Sequence, residues 1–282
     1  MALPEPLLPL LIEPIVREAL REDLGRAGDI TTDAIVSASA VMEGVIAARK
    51  SGVVAGTDAA VLAFHLLDPQ VTVIVEKPDG SAVHRGDTII RLKGSARAIL
   101  AGERVALNFL GQLSGIATAT AALVEAARPH KASIVCTRKT TPGLRILEKH
   151  AIRAGGGSNH RFGLDDAALI KDNHVAVAGG VRQAIERVRA SIGHLVKIEV
   201  EVDSLAQLNE ALATGADAVL LDNMTVAQMA DAVRVVNGRM LTEASGGITL
   251  ESVNAIAATG VDLISSGWLT HSAPALDVGL DV

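Results

Sequence analysis

Aromatic side chains are almost missing from this chain of 282 residues: it has three phenylalanines, one tryptophan and no tyrosine. Proteins that hold single-stranded nucleic acid stack its bases on aromatic platforms, and those that hold duplexes present a basic face. A formal net charge of −6 offers neither, so nucleic acid is excluded as a partner. A single cysteine, Cys136, permits no intrachain disulfide and no thiolate metal cage, which suits a reducing compartment and makes the cytoplasm the expected location. No stretch approaches the ~18–20 uninterrupted apolar residues of a membrane span. Residues 1–16 are apolar but carry Glu5 and Glu13 with no basic residue ahead of the apolar run, so they do not read as a signal peptide. The eight histidines form no HxH or HExxH pattern, which argues against tight transition-metal ligation.

What is present is apolar surface. Hydrophobic residues make up 49% of the chain and charged residues 21%, enough to offset chain entropy with cores of Ala, Val, Leu and Ile. The length fits a barrel with a smaller unit attached. In residues 14–24, Ile15, Val16, Ala19, Leu20 and Leu24 follow helical spacing and Gly25 supplies a stop. Short β-rich runs follow at 41–48, 71–76 and 88–93, the last two flanking a turn at Pro78, Asp79 and Gly80. A helical region then runs from about residue 96 to 127, with a break expected near Ser114 and Gly115. This first part reads as an α+β unit.

From Lys131 onward strand-like runs alternate with helix-like ones, at 133–137, 168–170, 196–202, 218–221, 240–244 and 262–265. Ser204 with Gln207 and Thr225 with Gln228 form expected capping boxes, and Gly215, Gly238 and Gly260 sit where helices should end. Alternation at this pitch implies a parallel sheet, either an open barrel or a doubly wound sheet.

In such folds the carboxyl ends of the strands converge on one face. The residues after the six runs sort by type: Arg138 and Lys139, then Lys171 and Asp172, then Glu201, then Asp222 and Asn223, then Ser245, Gly246 and Gly247, and finally Ser266 and Gly267. The glycine turn precedes a helix expected near Thr249, an arrangement that directs backbone N–H groups at a phosphate. Residues 138–171 hold seven of the 26 basic residues, which implies a small polyanionic substrate. Arg145, Lys149, His150 and Arg153 lie within a helix there and read in part as its solvated face, whereas the loop at Gly155, Gly156 and Gly157 delivers His160 and Arg161 side by side. Glu201 and Asp222 suit Mg²⁺, ribose hydroxyls or a developing cation.

These residues resemble a known family. Thr137-Arg138-Lys139-Thr140-Thr141-Pro142-Gly143, Gly155-Gly156-Gly157-Ser158-Asn159-His160-Arg161 and Leu169-Ile170-Lys171-Asp172-Asn173-His174 are similar to the quinolinate phosphoribosyltransferases, and so are Glu199-Val200-Glu201-Val202, Leu221-Asp222-Asn223, Glu243-Ala244-Ser245-Gly246-Gly247 and Ser266-Gly267. The resemblance spans nearly the whole chain. It implies an N-terminal α+β sandwich-like domain at 1–115, an open, incomplete α/β barrel of six or seven strands at 116–267, and a tail at 268–282 that returns to the first domain.

The activity it implies joins quinolinate to phosphoribosyl pyrophosphate (PRPP) with Mg²⁺, giving nicotinate mononucleotide, pyrophosphate and CO₂. It assigns quinolinate to Arg104, Thr137, Arg138, Lys139, His160, Arg161 and Lys171, and PRPP to Lys139, Glu201, Asp222, Ser245, Gly246, Gly247, Ser266 and Gly267. Lys139, Lys171, Glu201 and Asp222 would be catalytic, with Glu201 and Asp222 facing the metal. It also implies a homodimer, or a higher assembly of dimers, in which Arg104 reaches the partner's site. A relative acting on nicotinate or in molybdenum metabolism, and a phosphometabolite-binding barrel without catalysis, are the alternatives. The intact set of Arg138, Lys139, Glu201 and Asp222 favours catalysis, because a mere binder has no need of paired acids opposite paired bases.

Overall fold

The structure, a computed structural model, describes residues 4–282, and the first three residues of the expected N-terminal domain lie outside it. In chain order the elements are α1 (Pro9–Leu24), α2 (Ile30–Ile35), β1 (Val41–Ala48), β2 (Gly52–Val53), α3 (Thr57–His65), β3 (Thr72–Val75), β4 (Ala82–Val83), β5 (Thr88–Ser95) and α4 (Ala96–Ala126). They continue with β6 (Ser133–Val135), α5 (Arg145–Ala154), β7 (Ala168–Ile170), α6 (Asp172–Ala178), α7 (Val181–Ser191), β8 (Ile198–Val202) and α8 (Leu205–Thr214). The chain closes with β9 (Ala218–Asp222), α9 (Val226–Val236), β10 (Leu241–Ser245), α10 (Val253–Ala257), β11 (Leu263–Ser265), α11 (Trp268–His271) and β12 (Val278–Asp281).

Two compact units result. The first takes the chain through Ala121 together with Thr140–Gly156 and Leu269–Val282, so α5 and the C-terminal segment join it although they are distant in sequence. Its sheet has the order β12-β1-β5-β3, antiparallel throughout, with Val45 opposite Asp281 and Arg91. Ile12, Val16 and Leu20, one helical turn apart, bury one face of α1. The sequence pattern does not announce α3, because Ala59, Ala60, Ala63 and Phe64 are all buried and leave little polar alternation to mark a period.

The break expected at Ser114 and Gly115 is absent, and α4 runs unbroken for 31 residues. Both residues serve packing instead. Ser114 Oγ accepts from the Ala55 N–H at 3.0 Å, and a Cβ on Gly115 would lie 2.2 Å from the Pro274 carbonyl oxygen, so only glycine lets the C-terminal segment cross there. By length and composition α4 could cross a bilayer, yet 61% of its most apolar window is buried within the protein.

The second unit, Ala122–Lys139 with Gly157–Trp268, contains a six-stranded parallel sheet in the order β6-β11-β10-β9-β8-β7. All six strands read from the sequence are there, and β6 and β7, successive in the chain, form opposite edges, which makes the sheet open as expected. Ile198, Val200 and Val202 are buried along one face of β8, while α7, α8 and α9 bury Ile185, Leu208 and Met229. Thr225 and Gln228 form the expected capping box. The Ser204 box is only half made: Ser204 Oγ accepts from the Gln207 N–H, but the Gln207 side chain turns to the Asp203 N–H at 3.0 Å.

Candidate active site

The carboxyl ends of the parallel strands enclose a cavity of about 390 Å³. Strand alternation decides which side chains reach it. On β8, Glu199 and Glu201 face away from buried Ile198, Val200 and Val202. The register carries that row across the sheet: Glu201 stands opposite Leu220, Leu220 opposite Glu243, Asp222 opposite Ser245, and Ser245 opposite Ser265. Glu201, Leu220, Asp222, Glu243, Ser245 and Ser265 all line the cavity. Thr137, Arg138 and Lys139 after β6, His160 and Arg161 from the glycine loop, and Lys171 after β7 complete it.

The cavity thus gathers Thr137, Arg138, Lys139, His160, Arg161, Lys171, Glu201, Asp222 and Ser245 from the expected set. Gly246, Gly247, Ser266, Gly267 and Arg104 are not among the residues lining it. Arg104 stands exposed on α4 in the first unit. Ser266 is buried and donates its N–H to the Val135 carbonyl at 3.1 Å, so that amide serves the sheet, and Ser265 faces the cavity in its place.

Gly246 and Gly247 both have left-handed backbones, with φ of 96° and 62°. A Cβ on Gly246 would lie 2.1 Å from Asn223 Oδ1. Asn223, itself at φ 51°, donates its N–H to the Ser245 carbonyl at 3.0 Å, so the turns after β9 and β10 are packed as one piece. The helix expected near Thr249 starts only at Val253 and has five residues, because Thr249 and Ser252 first close a turn, with the Thr249 N–H donating to Ser252 Oγ at 2.9 Å. The helix thus begins six residues past Gly247 rather than directly behind the glycine turn.

Like charges stand together in this site. Burial, and then the charge of Arg138, pull the Arg161 guanidinium below its ordinary pKa. Arg138 Nε is buried without a hydrogen-bond partner. Burial, and then the charge of Asp222, push the Glu201 carboxyl up. Juxtaposed cations and juxtaposed acids each cost free energy until a ligand of the opposite sign arrives, which is the signature of a binding site rather than of a structural ion-pair network. Glu201 and Asp222 offer oxygen donors only, the chemistry that suits a hard divalent cation.

Three residues with chemistry escaped the reading of strand ends. Glu199 and Glu243 lie within strands, and His160 donates from Nε2 to Glu199 at 2.8 Å with Glu243 at 3.7 Å. Donor atoms of the three fall within 4.8 Å of one another. Their signal was period two: Glu199 is two residues before Glu201, and Glu243 two before Ser245, hence on the same face. His174 is the third, its Nδ1 accepting the Lys171 N–H at 2.9 Å and so holding the chain where Lys171 enters the cavity. Two of the four basic residues on α5 are not solvated: Lys149 and His150 are buried, together with Glu148.

A parallel α/β sheet whose strand ends set paired guanidinium groups, paired carboxylates and a glycine turn at one end defines a class, the α/β proteins that take small anions at this face. Comparison with known proteins narrows the class. Residues 29–114 match the quinolinate phosphoribosyl transferase N-terminal domain and residues 116–281 its C-terminal domain. The chain is similar to the nicotinate-nucleotide pyrophosphorylase (carboxylating) of Mycobacterium leprae, at 47% identity covering 95% of each chain. Among solved structures it is similar to NadC from Streptococcus pyogenes, with a TM-score of 0.95 and 42% identity over 99% of this chain and 98% of that one. The nicotinate-nucleotide pyrophosphorylase from Francisella tularensis gives a TM-score of 0.94 and 37% identity over 100% and 99%. The chain belongs to the quinolinate phosphoribosyltransferase family.

Proposed function

We propose that this protein is a nicotinate-nucleotide pyrophosphorylase of NAD biosynthesis, converting quinolinate and PRPP to nicotinate mononucleotide, pyrophosphate and CO₂. The observation that carries this reading is the convergence of Arg138 and Arg161 in one cavity with Glu201 and Asp222. Quinolinate is a dicarboxylate, and two guanidinium forks bind two carboxylates with a geometry that a single ammonium cannot match. Thr137 and Lys171 border the same pocket.

Lys139 and Lys171 neutralise phosphate and pyrophosphate charge. The turn of Ser245, Gly246 and Gly247, with Ser265 beside Ser245 on the neighbouring strand, holds the 5′-phosphate. As pyrophosphate departs, the anomeric carbon becomes cationic, and the carboxylates of Glu201 and Asp222 stabilise it. Once the pyridine nitrogen carries ribose it is positively charged and stabilises the electron pair left at C2 when CO₂ leaves, and C2 then takes up a proton from water to give the mononucleotide. Decarboxylation then needs no organic cofactor, and positioning supplies much of the acceleration.

Mg²⁺ fits this site, because two mutually repelling carboxylates with oxygen donors only are relieved by a hard divalent cation. Glu201 and Asp222 would hold it, directly or through water, and it supplies charge neutralisation at the pyrophosphate leaving group. The working unit in this reading is a cytoplasmic homodimer with shared sites, Arg104 of one subunit reaching the quinolinate of the other.

The test is direct. Purified protein with quinolinate, PRPP and Mg²⁺ should release CO₂ and pyrophosphate in equal amounts and form the mononucleotide, with chelation stopping the reaction. Absence of product, or equal use of nicotinate, would overturn the reading.

A further inference from the structure

His160 lines the cavity, and the family resemblance assigns it to the dicarboxylate, yet both of its ring nitrogens are engaged within the protein. The backbone N–H of Arg161 donates to Nδ1 at 2.8 Å, and Nε2 lies 2.8 Å from Glu199 Oε2. A backbone N–H can only donate, so Nδ1 must present its lone pair and the ring proton must sit on Nε2, facing the carboxylate. The imidazole is thereby locked in one tautomer and one orientation, with its side chain and that of Glu199 13% and 12% exposed.

We propose that Glu199 is a positioning residue: acting through His160, it fixes the backbone at Arg161 and so the direction in which the Arg161 guanidinium meets a substrate carboxylate. The chain of contacts is continuous. Glu199 holds Nε2, Nδ1 holds the Arg161 amide, and the far end of Arg161 is tied down where Nη1 donates to the Ala167 carbonyl at 3.0 Å. Anchored at both ends, the guanidinium keeps its orientation beside Arg138 despite their mutual repulsion.

Glu243 does not compete for the same proton. It stands 3.7 Å from Nε2, beyond hydrogen-bond reach, and its carboxyl is pushed up to about 7 by burial and by the charge of Glu199. Glu199 therefore keeps the hydrogen bond. Its 2.8 Å separation from Nε2 is that of N–H donating to a carboxylate, so a proton joins the two groups.

The inference rests on assigning Arg161 to quinolinate, and the experiment separates the two. Nitrogen-15 NMR of imidazole-labelled wild-type protein, with the His160 signals identified by their loss in His160→Gln, should show a bare Nδ1 and a protonated Nε2 at neutral pH. Glu199→Ala should weaken that preference and raise KM for quinolinate about tenfold or more, while KM for PRPP stays within about twofold. Glu199→Gln, which retains an acceptor oxygen at the same reach, should preserve most of the quinolinate KM. An imidazolium or Nδ1–H signal in the wild type, or a Glu199→Ala enzyme with both KM values raised together or neither changed, would overturn the proposal. Arg161→Lys is the control. If it also leaves the quinolinate KM unchanged, the assignment of Arg161 falls and the proposal with it; if it raises that KM while Glu199→Ala does not, only the positioning role of Glu199 fails.

Discussion

His150 on α5 and Asp79 in the turn before β4 meet at 2.8 Å across 71 residues of sequence, both side chains only 8% exposed. The Asp79 carboxylate also accepts from the Gly56 N–H at 2.9 Å, the Thr57 N–H at 3.0 Å and the Thr57 hydroxyl at 2.7 Å. One acid thus ties α5 to the start of α3. Removing it strands a buried histidine and three donors, so Asp79→Ala should destabilise the protein by about 3–5 kcal/mol. Urea unfolding at neutral pH measures this, and a loss below about 1 kcal/mol would show that the cluster contributes little.

Asp79 also makes stability depend on acid. Burial opposes its charge, but the bonds from His150, Gly56 and Thr57 outweigh it, and its pKa falls below the ordinary value of 3.8. A carboxyl depressed in the folded state contributes stability that is complete above the unfolded pKa and is lost as pH falls through the folded one. Stability measured from pH 6 downward should therefore decline below about pH 4, and less steeply in Asp79→Asn than in the wild type. Parallel slopes would mean that Asp79 titrates alike in both states.

Arg138→Lys keeps the charge and loses the fork. Its kcat/KM for quinolinate should drop by tens to over a hundredfold, about 2–3 kcal/mol of transition-state binding. An unchanged value would remove Arg138 from the substrate site.

Gly246→Ala places a methyl group 2.1 Å from Asn223 Oδ1 at a backbone φ of 96°. The Asn223 side chain must turn away and the backbone is strained at that φ, so KM for PRPP should rise about tenfold or more while the circular-dichroism spectrum is retained. A variant with native PRPP kinetics would show that this turn does not hold the phosphate.

Arg104 tests the shared site. Inactive Arg104→Ala and inactive Lys139→Ala chains, unfolded and refolded together, should regain about a quarter of wild-type activity, since random pairing makes half the dimers hybrid and each hybrid has one intact site. Hybrids as inactive as their parents would show that Arg104 acts within its own chain.

Sequence alone determined the six parallel strands, their order in the chain and the residues that follow each one, because strand periodicity and turn chemistry are set by neighbours a few positions apart. It also carried the motifs around Arg138, His160 and Lys171, whose residues lie side by side in the chain. Tertiary structure decided what depends on distant partners. Of the α5 residues that read as solvated, Arg153 is exposed, but Lys149 and His150 are buried, and His150 is buried against Asp79. Gly115, which locally reads as a helix break, is a crossing point because the chain near Pro274 passes against it. Glu199 and Glu243 read as ordinary strand residues until register brings β8 and β10 to either side of β9 and the glycine loop lowers His160 beside them. Local sequence sets backbone preference, whereas the environment of a side chain, and with it its charge and its role, is made by residues that only folding brings near.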